Sequence, residues 1–378
     1  MKFMFTCGGT AGHINPALAV AGRLRELMPD CEILFVGADG HMETDLVPRG
    51  GYDIVTLKVT NISRSKSLKG IIHNIKSIIN VIVSTIKAKK IVKNFKPDIV
   101  VGTGGYVCYP VLKAAAKLGI PTVVHESNAF PGLTTRMLES VVDKILLGFE
   151  ESKQHYKHPD KLIVTGTPVR GQFGQYTKNS AKAELGIDVN TPLVVSVWGS
   201  LGASHMNEAM CEFIRLAGDN AGFKMIHSAG TAGYETMVKT LKEIAPDYEK
   251  NGMDVREYIY DMPQQMAAAD IVICRAGAMT VSELALDNKC AIFIPSPNVA
   301  ENHQYKNAKV LVDAGASLVY EEKYLEPLDA KPLTEKVEYL LSEAGAAERE
   351  KMEQSIGQFA VRDANERIYE DLMTLIKK

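Results

Sequence analysis

Twice along this 378-residue chain an apolar run breaks on a glycine turn and passes directly into helix-patterned sequence, at FTCGGTAGH (5–13) and at VSVWGSLGA (195–203). A buried strand that turns on glycine into a helix opens a parallel α/β unit. Two openings, one in each half, predict two such units rather than one long sheet. Around the first, KFMFTCGG (2–9) reads as strand and INPALAVAGRLREL (14–27) as amphipathic helix, followed by the apolar runs CEILFVGA, KPDIVVGTGGY, IPTVVHES, DKILLGF and KLIVTGTPV. After GTPVRGQF the pattern restarts with the helix candidate SAKAELG, then PLVVSVWGS, GFKMIHSAG, VREYIYD, ADIVICRAG, CAIFIPS and SLVY. Continuous apolar strands alternating with helices belong to parallel sheets covered on both faces. The expected division is residues 1–167, 168–350 and a helical terminal segment 351–378, with PVRGQFGQYTK as the crossing.

Composition narrows the class further. A hydrophobic share of 46% with 23% charged residues excludes wholesale disorder, and the formal charge of -2 lacks the basic excess of a dedicated nucleic-acid binder. The six cysteines, Cys7, Cys31, Cys108, Cys211, Cys274 and Cys290, form no CxxC pair and read as small thiols of an intracellular protein. MKFMFTCGGT turns glycine-rich before a signal-peptide core develops, and no run reaches the roughly 18 apolar residues of a spanning helix. The expectation is a cytoplasmic chain without a membrane anchor.

The small net charge hides a polarity. Residues 1–167 carry 21 basic and 14 acidic side chains, hence +7, and the remainder 22 and 31, hence -9. Between Ile54 and Pro97 there are ten Lys or Arg and no acid. Within that stretch Ile71, Ile75, Ile78, Ile82 and Ile86 recur at helical spacing, flanked by Lys69, Lys76 and Lys87. Such a helix either packs in the core with a solvated basic flank or lays its lysines against lipid phosphates.

The polar residues at the ends of the apolar runs are the candidates for chemistry. Gly8, Gly9 and Gly12 permit close approach, and the helix after them presents free N–H groups to an anion. GGTAGH is not a GxGxxG fingerprint, and no GxxxxGK[ST] loop occurs. His13, at the start of that helix, is placed either as a neutral base or as a cap. His125, Glu126 and Asn128 close the run TVVHES, at the kind of edge where open sheets bind ligands. In the second half Ser200 precedes a helix, Arg275 and Gly277 follow a strand, and Thr280, Ser282 and Glu283 enter an apolar helix. Glu283 suits two sugar hydroxyls, and Asn302, His303, Gln304 and Asn307 add polar groups after another strand. No DxD or HExxH occurs, so no protein-held metal is expected, and dependence on a loosely bound divalent cation stays open.

At these residues the chain resembles the family 28 glycosyltransferases that add N-acetylglucosamine to lipid-linked muramyl pentapeptide. The matching motifs are GGTAGHINPALAVA (8–21), HESNAFPG (125–132), GTPVR (166–170), GSLGAS (199–204), CRAGAMTVSEL (274–284) and HQYKNA (303–308). The resemblance implies a GT-B fold, two Rossmann-like parallel-sheet domains facing across a cleft, with the terminal segment packing back toward the first. It implies a hexosyltransferase that uses UDP-N-acetylglucosamine as donor, holds no tight cofactor, and works peripherally at the cytoplasmic face of the bacterial plasma membrane. Its acceptor would be polyprenyl-linked in an anionic membrane, beside other cell-wall synthesis proteins.

Residue by residue, the resemblance gives His13 or Glu126 as the base, without choosing between them. It gives donor contacts to Arg170, Ser200, Ile259, Met262, Ala278, Met279, Thr280, Val281, Ser282, Glu283 and Gln304, and to the sugar-diphosphate turn Thr10, Ala11, Gly12 with Asn128. Two positions depart from the family pattern: Ala11 and Trp198 stand where glycine is usual. The Trp198 indole must point away from the nucleotide or reshape its pocket. The implied reaction is direct displacement at the anomeric carbon, converting an α-linked donor into a β(1→4) product. Transfer to another acceptor, a UDP-sugar 2-epimerase and a non-catalytic nucleotide-sugar sensor are the alternatives.

Overall fold

The computed structural model describes residues 1–59, 68–199, 202–218, 221–325 and 329–377. The chain forms two compact units, Met1–Arg170 joined by Asp363–Lys378, and Gly171–Arg362. The first holds β1 (Lys2–Thr6), β2 (Glu32–Ala38), β3 (Asp53–Leu57), β4 (Ile99–Gly102), β5 (Thr122–Glu126), β6 (Lys144–Leu147) and β7 (Leu162–Val164), in the order β3-β2-β1-β4-β5-β6-β7. The second holds β8 (Leu193–Val197), β9 (Lys224–Ser228), β10 (Met253–Arg256), β11 (Ile271–Cys274), β12 (Cys290–Phe293) and β13 (Ser317–Val319), in the order β10-β9-β8-β11-β12-β13. Every pairing is parallel.

Both sheets reverse their strand order beside their first strand: β1 lies between β2 and β4, and β8 between β9 and β11. At such a switch point the connecting helices diverge to opposite faces and leave a crevice at the carboxyl ends of the strands. Register carries the glycine segments there, since Thr6 stands opposite Gly102 and Val197 opposite Cys274.

Period-two alternation sends neighbouring β1 side chains to opposite cores. Phe3 and Phe5 pack with Phe35, Leu24, Ile368 and Leu372, while Met4 packs with Val36, Val100 and Val124. Ile368 and Leu372 belong to the terminal helix Ala364–Ile376, which completes the first unit. The terminal segment is therefore divided: the helix Glu343–Gly357 buries Met352 in the second core, and only the last helix joins the first unit. The chain crosses at Arg170–Gly171 and Arg362–Asp363, a few residues beyond the expected Thr167.

Two strand readings change. β3 was not legible because its residues alternate weakly at a half-exposed sheet edge. The run VREYIYD stops as strand at Arg256, leaving Tyr258 and Tyr260 exposed on the following loop. The long helix Leu68–Phe95 forms as expected, but it buries Ser84, Ala88 and Val92 while Val83 and Ile86 stay exposed. Ile86 belongs to the isoleucine stripe, so at this end the stripe faces outward. Lys87 is exposed beside it, and the side chains of Lys69 and Lys76 lie outside the described residues. Among the described residues no helix is long and apolar enough to cross a membrane.

Because the terminal helix seals the Phe3–Phe5 face, truncating Leu372 to alanine leaves a cavity over the first sheet. We expect Leu372→Ala to lower unfolding free energy by about 2–5 kcal/mol in chemical denaturation.

Candidate functional site

At the carboxyl edge of the first sheet, backbone meets backbone. Gly8 N–H donates to the Gly104 carbonyl at 3.2 Å, and a methyl at Gly105 would collide with the Gly8 carbonyl. Gly104, at φ +119°, lies against the His13 ring, so a side chain there would be both strained and obstructed. The helix Ala11–Leu27 begins with no side-chain cap and no acid in its first turn, and its His13 N–H donates to the Thr10 carbonyl at 3.0 Å, so an anion would meet the turn ahead of it. His13 Nδ1 lies 3.0 Å from the Gly8 carbonyl and 3.3 Å from Thr10 Oγ1. A carbonyl only accepts, so Nδ1 carries a proton, and the tautomer this selects has its lone pair on Nε2. The ring is half-buried and Thr103 Oγ1 fixes its backbone by donating to the His13 carbonyl at 2.6 Å. Ala11, the departure from glycine, is the first residue of the helix and half-buried.

One residue here was missed from the sequence. Glu43, fully buried, accepts from Ala38 N–H at 2.8 Å and from Gly9 N–H at 3.0 Å. Nothing in HMETDLVPR distinguishes it from an exposed acid in a helix first turn.

At the end of β5 the three candidate residues separate by role. His125 is buried, its Nε2 donating to the Gly166 carbonyl at 3.0 Å and its Nδ1 accepting from Ser127 Oγ at 3.1 Å; burial pushes its pKa down, so the ring is a neutral strut. Glu126 is also buried, with Oε1 accepting from both the backbone and side-chain N–H groups of Asn128 at 3.0 Å and Oε2 from Gly132 N–H at 2.9 Å. Its oxygens are occupied in shaping the 128–132 loop. Arg170 belongs to the first unit, where its Nη2 donates to Asn15 Oδ1 at 2.9 Å.

The second sheet repeats the arrangement. A methyl at Gly202 would collide with the Ala229 carbonyl, and the helix Ser204–Ala217 starts with no side-chain cap and no acid in its first turn. Ser200 lies outside the described residues. Trp198 is 5% exposed and packs in the core of the second unit. Arg275 lies over that indole at 5.6 Å and is held by Glu322 at 2.6 Å and by the Ile294 carbonyl at 2.8 Å. Beneath the glycine loop runs a directed chain: Ser196 Oγ to His227 Nδ1, His227 Nε2 to Asn207 Oδ1 at 3.2 Å, and Asn207 Nδ2 to the Ala229 carbonyl at 2.8 Å. Burial pushes the His227 pKa down to about 3.

The helix Ala278–Leu286 is likewise uncapped, with Gly277 before it. Ala278, Met279 and Val281 bury their side chains, so a ligand would meet them through the backbone, while Thr280, Ser282 and Glu283 are half-buried. Asn307 Nδ2 donates to the Ala276 carbonyl at 3.1 Å and Gln304 Oε1 accepts from Ser296 N–H at 2.8 Å, fixing the neighbouring loops. Ile259 is buried and Met262 opens the helix Met262–Ala268. Among the described residues no three His, Cys, Asp or Glu side chains are grouped to hold a metal.

Residues 3–147 match the glycosyltransferase family 28 N-terminal domain, and residues 193–368 its C-terminal domain. The chain belongs to glycosyltransferase family 28. A UDP-N-acetylglucosamine–N-acetylmuramyl-(pentapeptide) pyrophosphoryl-undecaprenol N-acetylglucosamine transferase of Acetivibrio thermocellus is 40% identical over all 378 residues, covering 100% of this chain and 99% of that one. The crystal structure of MurG from Acinetobacter baumannii aligns with a TM-score of 0.76 at 26% identity, covering 99% of each chain. The family 28 chain thus has the GT-B-like fold of two Rossmann-like domains. A UDP-GlcNAc 2-epimerase from Neisseria meningitidis shares that fold alone, with a TM-score of 0.64 at 14% identity over 99% of this chain and 100% of its own.

Acid tests the second network. Because the folded His227 pKa, about 3, is below the unfolded value of about 6.5, unfolding takes up a proton between them. This contribution to stability is complete above pH 6.5 and is lost as pH falls, about 2 kcal/mol by pH 5; His125 acts in the same direction. Urea midpoints at pH 7 and pH 5 should therefore converge in His227→Gln relative to wild type, and an equally steep variant would contradict the neutral-ring assignment.

Proposed function

We propose that this chain transfers N-acetylglucosamine from UDP-N-acetylglucosamine to the 4-hydroxyl of undecaprenyl-diphospho-N-acetylmuramoyl-pentapeptide, releasing UDP and the β(1→4)-linked disaccharide lipid of peptidoglycan synthesis. The observation that carries the reading is the 40% identity across the full length with a transferase named for that reaction.

His13 is the general base of this reaction. Its Nε2 lone pair takes the hydroxyl proton as the acceptor oxygen bonds to the anomeric carbon from the face opposite UDP. The bond from that carbon to the diphosphate oxygen breaks, and its electron pair leaves with UDP. Glu126 is a positioning residue: all three of its hydrogen bonds hold the Asn128–Gly132 loop, and taking a proton would compete with them. In the second unit the uncapped N-terminus of Ala278–Leu286 and the loop at Ser200 receive the diphosphate, whose charge the helix end offsets. Glu283 accepts from the ribose hydroxyls, Ile259 meets uracil through its backbone, and Met262 and Gln304 complete the donor pocket. Thr10, Ala11 and Gly12 receive the lipid-linked diphosphate at the first unit, Asn128 contributes to the sugar site, and Arg170 adds a donor contact.

The acceptor is a membrane lipid, and the protein meets the cytoplasm-facing surface peripherally. Exposed Ile86 and Val83 with exposed Lys87 on the helix Leu68–Phe95 support this over a wholly core-facing stripe.

Labelled donor and lipid acceptor should give disaccharide lipid and UDP. Donor alone should give no manno epimer, whose appearance would favour the epimerase. His13→Ala should lower kcat by about 10²–10⁴ with little change in donor KM, and retained turnover would remove His13 from the base role. Replacing Lys69, Lys76 and Lys87 with glutamate should weaken binding to anionic vesicles by roughly hundredfold or more, at about 1 kcal/mol per lysine. Unchanged binding would return that helix to a structural role.

A further inference from the structure

His13 Nδ1 points at the Gly8 carbonyl, and Glu43 Oε2 accepts from the Gly9 N–H, each at 3.0 Å. That carbonyl and that N–H are the two ends of one peptide unit. A trans peptide aims them in opposite directions. The three groups therefore form a single line, in which the Glu43 carboxylate accepts from the peptide N–H and the peptide carbonyl accepts from the imidazole Nδ1–H.

We propose that Glu43 is a positioning residue for transfer, acting on His13 through the Gly8–Gly9 peptide. This rests on His13 being the base. A carboxylate bonded to the N–H end of an amide polarises it and strengthens its carbonyl as an acceptor, because hydrogen bonds in series reinforce one another. The stronger acceptor locks the proton on Nδ1, keeps the lone pair on Nε2, and holds the imidazolium that forms when Nε2 takes the acceptor proton. The peptide stands where a carboxylate would bond directly to the imidazole of a nucleophilic triad.

The slot for Glu43 is built. A methyl at Gly8 would collide with Glu43 Oε1 and one at Gly37 with its Cγ, so a glycine in the turn after β1 and one in β2 clear its path. Its second oxygen is spent on Ala38 N–H at 2.8 Å, which fixes the direction from which the first addresses Gly9. A solvated acid in a helix first turn requires neither.

Glu43→Gln keeps the size but loses the charge and turns an amide N–H toward one of the two backbone donors. Assayed with UDP-N-acetylglucosamine and the lipid acceptor in vesicles, it should lose roughly ten- to hundredfold in kcat with both KM values little changed. Added to His13→Ala, it should cost nothing further. Nitrogen-15 spectra of histidine-labelled wild-type protein, with the His13 signal assigned by its absence from His13→Ala, should show Nδ1 protonated, and Glu43→Gln should show mixed tautomers. The wild-type spectrum and the shorter Glu43→Asp carry the same test if Glu43→Gln does not fold. Protonation on Nε2 in wild type, an unchanged kcat and tautomer in the folded variant, or an additive loss in the double variant would each overturn the relay. Full turnover by His13→Ala would instead overturn the base assignment on which it rests.

Discussion

Backbone touching backbone at the carboxyl ends of neighbouring parallel strands is the constraint on which the rest of this structure depends. In the first unit Gly8 hydrogen-bonds to Gly104 and a Cβ at Gly105 would strike the Gly8 carbonyl, and in the second a Cβ at Gly202 would strike the Ala229 carbonyl. A parallel sheet whose strand order reverses beside its first strand diverges its helices at that point. The absence of side chains lets the loops close down and deliver uncapped helix ends to the crevice. Binding and chemistry then fall to groups held by those loops.

The loops are held by buried polar groups that do not themselves face the crevice. Glu43 sits under the first turn, Glu126 under the 128–132 loop, and Asn207 with His227 under the second turn. A backbone N–H or carbonyl in a tight loop has no strand partner, and leaving it unpaired away from water costs about 1–3 kcal/mol. Each of these side chains removes that cost and at the same time fixes a direction. The same rule separates His125 from His13: one has both ring nitrogens occupied, the other has only Nδ1 committed and is half-buried.

Much of this was legible in the residues. Apolar runs ending in glycine gave the two parallel units, and the motifs around His13, Glu126 and Glu283 marked the strand ends. β3 escaped because an edge strand half in water carries little alternation. The division of the terminal segment escaped because Met352 and Leu372 look alike in sequence and are assigned to different cores only by packing. The stripe from Ile71 to Ile86 had the periodicity of a buried face, yet Ile86 stands exposed, because periodicity reports that a helix has an apolar side and not what covers it.

Sequence by itself determined the repeated strand-turn-helix units and the sheet type, since these follow from local backbone freedom and the order of apolar runs. Only the tertiary structure decided which polar residues are buried against loop backbone and hold it in place. Glu43 reads as an ordinary acid along the chain, and its burial against the Gly9 N–H depends on segments brought together from 34 residues apart, while Glu126 was marked by its motif but not as a group that holds a loop. The tautomer of His13 was decided in the same way, by a carbonyl whose direction is set by a side chain thirty-odd residues farther along.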